Sequence, residues 1–238
     1  MRIALIGYGR MGRLIESLAI AQGHEITGRI TSTNRSELFE LNADVAIEFT
    51  RPDAATENFR SLLERGIPVV TGTTGWYHRL DEVKRWVHAR EGKFFYATNY
   101  SIGVHLALAV SAYLSKIIGP YPYRAEIEEW HHTGKKDAPS GTAISFAETV
   151  EKNHGKYSSH ALLPAEIDEH TLPITAYREG DIKGTHLLRF QSEVDRIEIK
   201  HEAHSREGFA LGALRAAEFL VGSEPGVYTM NDLIELNA

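Results

Sequence analysis

The sequence opens with a short apolar segment, Arg2–Ile6, that runs directly into a glycine-rich stretch from Gly7 to Gly12. Apolar residues then recur at helical spacing, and a second strand-like segment follows at Glu25–Ile30. A strand, a GxGxxG turn, a helix and a second strand form the context that a dinucleotide-binding fingerprint requires. This order favours a cofactor site over a glycine-rich turn of another α/β protein. The candidate residues are Gly7, Gly9, Arg10, Met11 and Gly12.

The end of this second strand bears on the choice of cofactor. An NAD-preferring site usually has Asp or Glu here, and the carboxylate binds the ribose 2′-hydroxyl. The chain instead continues Thr-Ser-Thr-Asn-Arg from Thr31 to Arg35. Hydroxyl groups and Arg35 could bind a 2′-phosphate, Arg29 is a weaker candidate, and a solvated polar loop is the alternative. The sequence therefore predicts NADPH and/or NADH as cofactor, with NADPH preferred, and Thr31 and Arg35 as contacts.

Three further strand-like segments alternate with two helical ones and continue the α/β pattern. The strands are Ala43–Phe49, Ile67–Thr71 and Phe94–Ala97, and the helices are Pro52–Leu63 and Tyr77–Ala89. Ligands of open parallel sheets bind outside the carboxyl ends of the strands. The loops that leave these strands are therefore predicted to frame the cofactor. Their candidate residues are Phe49, Gly72, Thr73, Thr74, Ala97, Asn99 and Tyr100.

The pattern changes after a helix predicted at Val104–Ile118. Strand-like segments follow at Arg124–Trp130, Leu172–Tyr177, Gly184–Gln191 and Asp195–His204, with a helix at Ser140–Lys152. In the last of these strands, Ile197 and Ile199 alternate with charged residues, as on a half-buried antiparallel strand. The fold prediction is therefore an N-terminal Rossmann-type doubly wound parallel sheet with a second α+β domain. The second domain is predicted to be built on a mixed or antiparallel sheet with a face free for self-association.

The stretch from Glu126 to Ala143 contains two adjacent histidines, His131 and His132, and two adjacent lysines. Ser140 is predicted to be the N-cap of the helix that follows. A helix start attracts anions through its N–H groups and its dipole. Histidine is the side chain best suited to transfer a proton near neutral pH. The pattern favours an anionic-substrate site with a proton donor over a polar loop with surface lysines.

The same stretch resembles the signature of the dihydrodipicolinate reductase (4-hydroxy-tetrahydrodipicolinate reductase) family, which acts in bacterial lysine and diaminopimelate synthesis. The matching positions are His131, His132, Lys135, Asp137, Pro139, Ser140, Gly141, Thr142 and Ala143. Four other segments also resemble family segments. They are the GxGxxG loop that starts at Gly7, the Gly-Thr-Thr-Gly loop that starts at Gly72, the loop from Asn99 to Val104, and the run from Phe209 to Ala213. His105 stands where the family more often has Asn, and the chain has little between its second and third strands.

The resemblance implies an NAD(P)H-dependent oxidoreductase that reduces dihydrodipicolinate to tetrahydrodipicolinate. Both cofactors are often accepted in the family. Carried over by position, His131 is the general acid, and Lys135 is its electrostatic partner and a second proton candidate. The substrate-binding candidates are His132, Gly141, Thr142 and Arg206.

The resemblance also implies the domain organisation. A last helix, Ala210–Val221, and the tail Tyr228–Leu236 would return to the cofactor domain. Residues 1–104 plus 207–238 would then form the dinucleotide-binding domain, and residues 105–206 the substrate-binding and oligomerisation domain. A homotetramer is the expected assembly.

Composition restricts the other function classes. The net charge of −6 disfavours nucleic-acid and membrane-surface binding. The absence of cysteine excludes thiolate metal ligands and a cysteine nucleophile, and no metal site is predicted. No secretory signal or spanning segment is visible, so a cytoplasmic protein is expected.

Two alternative functions stay open at this point. The first is an NAD(P)-dependent reductase of another small carboxylate. The second is a non-enzymatic Rossmann-type nucleotide sensor, which needs the glycine loop but no histidine–lysine cluster. NADPH oxidation with dihydrodipicolinate made in situ discriminates among them.

Overall fold

A six-stranded, all-parallel sheet is the centre of the first part of the chain, in a computed structural model that describes residues 1–235. Leu236, at the end of the predicted tail, lies outside the described residues. The strands are β1 (Arg2–Ile6), β2 (Glu25–Ile30), β3 (Val45–Glu48), β4 (Val69–Thr71), β5 (Lys93–Tyr96) and β11 (Gly226–Tyr228). Their order in the sheet is β11-β5-β4-β3-β1-β2.

Helices cover both faces of this sheet, which is why its central strands are almost continuously apolar. The helices are α1 (Arg10–Ala21), α2 (Pro52–Glu64), α3 (Leu80–Ala89), α6 (Glu207–Gly222) and α7 (Met230–Leu233). One core joins β-strand side chains such as Leu5 and Phe95 to α1 and α6. A second core joins Ala4 and Phe94 to α2 and α3 on the opposite face. This doubly wound arrangement confirms the predicted fold class.

A five-stranded mixed sheet forms the second part, in the order β10-β9-β6-β8-β7. Central strand β6 pairs antiparallel with β9 and parallel with β8. The elements are α4 (Ile102–Ile118), β6 (Arg124–His131), α5 (Gly141–His154), β7 (Ser159–Leu162), β8 (Thr171–Arg178), β9 (Thr185–Gln191) and β10 (Arg196–Glu202). Helix α5 packs on the apolar face through Phe146 and Val150. The sheet is therefore mixed, as the sequence predicts.

The chain divides into two compact units. One contains Met1–Ile102 with the segment from Glu207 onward, and the other contains Gly103–Arg206. The elements of each unit are described separately below. Among the described residues, no helix combines the length and apolar character needed to cross a membrane.

Two short strands have no counterpart among the predicted elements. β11 has three residues and pairs with β5 through Val227 and Phe94. β7 has four residues, lies at the sheet edge and pairs with β8. Each is too short for alternation to define it, so pairing with a longer neighbour determines its structure.

Candidate active site

The first glycine of the N-terminal loop is fixed by a close backbone approach. Gly7 has φ +95°, and a Cβ there would lie 2.0 Å from the carbonyl oxygen of Phe49. Gly9 is the N-cap of α1 and has no side chain to cap it. A Cβ on Gly9 would meet no atom within 4 Å, so the space beside this helix start is open. The loop therefore fits a pyrophosphate that approaches the backbone.

The other predicted cofactor loops meet the same edge of the parallel sheet. The amide of Phe49 donates to the carbonyl of Ile6 at 2.8 Å, and that of Gly72 donates to the carbonyl of Glu48 at 3.0 Å. The hydroxyl of Tyr100 donates to the carbonyl of Thr71 at 2.6 Å. These bonds place the loops after β1, β3, β4 and β5 together, as parallel pairing predicts.

A buried carboxylate, Glu48, holds two of these loops. It is fully buried at the end of β3 and accepts hydrogen bonds from the hydroxyls of Thr50 and, at 2.6 Å, Thr71. The hydroxyl of Thr73 in turn accepts from the amide of Thr50 at 2.8 Å. Burial raises the pKa of Glu48, and these hydroxyls oppose the rise. Glu48 therefore anchors Thr50 to the loop that contains Gly72 and Thr73.

The polar segment after β2 is internally hydrogen bonded. The Asn34 side-chain oxygen accepts from the amide of Thr31 at 2.7 Å and from its hydroxyl at 2.8 Å. Arg35 is exposed and pairs with Glu57 at 2.9 Å. Arg29 pairs with Glu16. A 2′-phosphate bound by either arginine would therefore compete with a carboxylate that is already present.

In the second unit, β6 alternates inward and outward along its length. Ala125, Ile127, Glu129 and His131 are buried, whereas the residues between them are partly exposed. This register places Glu129 and His131 on the face covered by α5. The Glu129 Oε2 atom lies 3.4 Å from His131 Nδ1. A carboxylate and an imidazole thus adjoin where the strand ends.

The start of α5 connects to the same carboxylate. The amide of Ser140 donates to Glu129 Oε1 at 3.0 Å, and the Ser140 hydroxyl accepts from the amide of Ala143 at 3.2 Å. Ser140 is therefore the helix N-cap, as predicted. Its hydroxyl is also 3.1 Å from Nε2 of His186 on β9. Gly141 is exposed as the first residue of α5, and Thr142 follows it half-buried.

The lysine segment lies between the histidines and α5. Lys135 pairs with Asp137 at 2.7 Å, so Asp137 holds the Lys135 ammonium in place. Arg178 at the end of β8 donates to Glu129 Oε1 at 3.0 Å and to the carbonyl of Asp137 at 2.5 Å. The Asp137 end of the segment is therefore attached to the sheet through Arg178.

The buried histidines have lowered pKa values. Burial is the largest cause for His131; Lys135 and Arg178 lower its pKa further, and Glu129 opposes them. Burial lowers the pKa of His186 to about 3. His186 is therefore neutral near pH 7. Burial, more than the charge of Lys135, therefore makes His131 resist protonation.

Glu129, His131 and His186 bring one ligand atom each to within 4.8 Å of one another, a spacing that could hold a metal ion. Glu129 Oε1, however, already accepts from Arg178 and from the Ser140 amide. A guanidinium beside the carboxylate repels a divalent cation. We therefore assign Glu129 to its hydrogen bonds with the Ser140 amide and Arg178, and His186 to its contact with the Ser140 hydroxyl.

Comparison with known proteins identifies the family. The model of the dihydrodipicolinate reductase N-terminus matches residues 1–100, and the model of the C-terminus matches residues 103–234. The chain belongs to the dihydrodipicolinate reductase family. This confirms the predicted family and the predicted NAD(P)H-dependent oxidoreductase of lysine and diaminopimelate biosynthesis. Neither alternative function is favoured.

Two relatives of this reductase span nearly its whole length. The 4-hydroxy-tetrahydrodipicolinate reductase of Christiangramia forsetii is 39% identical over 236 residues, which is 98% of each chain. That of Archaeoglobus fulgidus is 34% identical over 261 residues, covering 99% of this chain and 100% of its own. A dipicolinate-bound dihydrodipicolinate reductase from Paenisporosarcina sp. TG-14 has a TM-score of 0.80 at 20% identity, with 98% of each chain covered. This last similarity supports the fold.

The structure places the predicted site residues of the reductase in two groups. In the first unit, Gly7, Phe49, Gly72 and Tyr100 lie at one edge of the parallel sheet. In the second unit, His131 ends β6 and the other catalytic and substrate candidates follow β6 or open α5, except Arg206, which is exposed just before α6. His132 is half-buried beside His131.

Four residues of the reductase were not predicted. They are Glu48, Glu129, Arg178 and His186. A signal existed for Glu129, because alternation along β6 puts it in the same inward row as Ile127 and His131. Glutamate in such a row is rare unless it is paired. No comparable signal indicated Arg178 or His186, which reach the site through the pairing of separate strands.

Proposed function

We propose that the chain reduces dihydrodipicolinate with His131 as proton donor, and that the substrate carboxylates bind at the start of α5. The observation that carries this proposal is the buried His131–Glu129 pair joined to the N-cap of that helix. An imidazole near a helix start provides a proton and an anion site in one place. The two domains predicted from the sequence would then divide the work into cofactor binding and substrate binding.

The residues of the first unit fit a nicotinamide dinucleotide. Gly7, Gly9 and the start of α1 would hold the pyrophosphate, since the Gly7 backbone packs closely on Phe49 and the space beside Gly9 is open. Phe49, Gly72 and Tyr100, with the residues beside them, would frame the reactive ring. When bound, the cofactor supplies a hydride to the unsaturated carbon of the substrate.

The second unit supplies the proton and the anion contacts. Because burial lowers the pKa of His131, the imidazole resists protonation in the free enzyme. A bound dianion stabilises the imidazolium and so couples protonation to substrate binding. Lys135 is the electrostatic partner and second proton candidate. His132, Arg206 and the start of α5 would hold the carboxylates.

Planar dicarboxylates should bind at this anion site. We expect pyridine-2,6-dicarboxylate to inhibit competitively with substrate, because its two carboxylates can bind to the start of α5 and to the neighbouring cationic side chains. Dipicolinate bound to the Paenisporosarcina reductase supports the choice of ligand. The monoacid pyridine-2-carboxylate is the matched control and should inhibit more weakly. A co-crystal with the dicarboxylate away from Gly141 and Thr142 would contradict the assignment.

We propose NADPH as the preferred cofactor, because the segment from Thr31 to Arg35 that follows β2 contains no Asp or Glu to bind the 2′-hydroxyl of NADH. A charge-assisted bond from Arg35 contributes about 1.5–3 kcal/mol, or roughly ten- to a hundredfold in affinity. Competition from Glu57 favours the lower end of that range. We expect Arg35→Ala to weaken NADPH binding with little effect on NADH, and Thr31→Asp to shift preference toward NADH.

The measurement is KM and kcat/KM for both cofactors across these variants. Glu57→Gln is the matched control, since it removes the competing carboxylate and should tighten NADPH binding. A wild type that prefers NADH, with equal effects of Arg35→Ala on both cofactors, would show that this segment does not bind the 2′-phosphate.

We also propose a cytoplasmic homotetramer that assembles through the second domain. Helix α4 supports this because one of its faces exposes large apolar side chains. They are Leu106, Val110, Tyr113 and Ile117. Sedimentation equilibrium measures the subunit number, and a monomer at micromolar concentration would contradict this assembly.

A further inference from the structure

Glu129 is a buried carboxylate of the second unit with several polar partners. Its side chain has 0% exposure. The carboxylate accepts from the Ser140 amide and Arg178, both at 3.0 Å from Oε1, and its Oε2 lies 3.4 Å from His131 Nδ1. A buried carboxylate destabilises a protein unless it is paired and hydrogen bonded. These partners satisfy it and join β6, β8 and the start of α5.

The orientation of His131 relative to Glu129 determines which ring nitrogen can transfer a proton. Nδ1 faces the carboxylate at 3.4 Å without a hydrogen bond, so Glu129 acts on the ring through its charge and favours a proton on Nδ1. Nε2 points toward Gly184, where an added Cβ would be 3.2 Å away. Glycine at this position leaves room beside Nε2. The imidazolium can therefore release its Nε2 proton and keep the Nδ1 proton against Glu129.

We propose that Glu129 is a positioning residue that orients the His131 ring through Nδ1 and fixes the start of α5 through the Ser140 amide. The Glu129 carboxylate thereby holds His131 and the anion-binding start of α5 at a fixed distance from each other. This inference rests on the proposed function, in which His131 is the proton donor. Glu129 is neither one of the matching motif positions nor one of the site residues predicted from the sequence.

The charge around His131 makes the role of Glu129 measurable. Burial, Lys135 and Arg178 all lower the pKa of His131. Glu129 and, more weakly, Asp137 raise it. His186 on β9 faces the His131 ring at 5.1 Å between centroids, and His201 on β10 lies behind His186 at 6.4 Å. Glu129 is therefore the principal group that favours the imidazolium.

The decisive variant is Glu129→Gln, which keeps the side-chain shape and an acceptor for the Ser140 amide but removes the charge. An opposite charge at this distance shifts a pKa by about one unit or more. In Glu129→Gln this charge is absent, and Arg178 loses its ion pair with Glu129. We therefore expect the pKa of His131, measured by NMR titration of the free protein, to fall by about one unit or more. The basic limb of kcat/KM should move to lower pH in parallel, with loss of turnover at neutral pH and partial recovery in acid.

Two further variants keep the test selective. Glu128→Gln is the matched control, because Glu128 is partly exposed on the same strand and pairs with Arg189 instead. It should leave both titrations unchanged. Glu129→Asp retains the charge, so its pH profile should stay near that of wild type even where kcat falls.

Two results would overturn the proposal. One is an unchanged His131 titration in Glu129→Gln, and the other is an equal loss of kcat/KM at every pH. If Glu129→Gln does not fold, Glu129→Asp provides the test. A basic limb of kcat/KM that moves in Glu129→Asp by the shift expected for loss of the charge would then overturn the proposal. Full turnover by His131→Ala would instead refute the proton-donor assignment, while the NMR titration would still test the contact with Glu129.

Discussion

Replacement of His131 or Lys135 with Ala is expected to lower kcat by about 10²–10⁴-fold, the usual contribution of a positioned proton donor. His131 lies at the end of β6 with Nδ1 3.4 Å from the buried Glu129 carboxylate, which holds the ring in one place. A water molecule in the alanine variant would not be held in the position of the lost imidazole. Lys135 is held by Asp137 beside it. NADPH binding should be retained, because the predicted cofactor loops belong to the other unit. Steady-state kinetics and NADPH titration measure the two effects separately.

An exposed lysine and an exposed histidine provide matched controls for this prediction. Lys136 adjoins Lys135 but is exposed, and His170 is an exposed histidine bonded to the Lys156 carbonyl. Alanine at either position should leave kcat near the wild-type value. Near-wild-type turnover in both His131→Ala and Lys135→Ala would refute the assignment of acid and partner.

Gly212→Ala is expected to destabilise the nucleotide-binding unit by about 3 kcal/mol, near the upper end for overpacked sites. A Cβ at Gly212 would lie 1.7 Å from the Tyr100 carbonyl oxygen, so two backbone segments would have to separate. The loss corresponds to a melting temperature lower by roughly 6–12 °C for a chain of this size. The displaced loop also carries Asn99, so NADPH affinity should fall with stability.

Gly208→Ala is the control within the same helix. Its Cβ would meet no atom within 4 Å, and alanine favours a helix over glycine by at most about 1 kcal/mol. Thermal unfolding should therefore show an unchanged or slightly higher melting temperature. An equal, small effect of both substitutions would contradict the close approach of α6 to Tyr100.

Much of the fold could be predicted because its elements have strong local patterns. The glycine turn between β1 and α1, the inward alternation of β6 and the Ser140 cap are each specified by neighbouring residues. β4 is as short as β11, but its apolar run before the Gly72 loop indicates a strand, whereas the short segments that form β7 and β11 carry no such signal and depend on their partners. The last helix begins at Glu207, three residues before its predicted start, because its polar first turn lacks apolar spacing.

The site was predictable where one continuous motif contains it. His131, Lys135 and the start of α5 lie within a dozen residues of one another, and their residue types indicate the chemistry. Arg178 and His186 approach the site only because β8 and β9 flank β6. The Glu57 partner of Arg35 is also distant in sequence. Such contacts depend on strand order, which a single sequence does not specify.

The most direct test of the central claim is NADPH oxidation by the purified protein with dihydrodipicolinate generated in situ. We expect the wild-type protein to oxidise NADPH only when this substrate is present, in a one-to-one ratio with substrate consumed. The His131→Ala protein at the same concentration should be slower by about 10²-fold or more. A wild-type protein that binds NADPH but oxidises it no faster than the substrate-free control would contradict the assignment as a reductase.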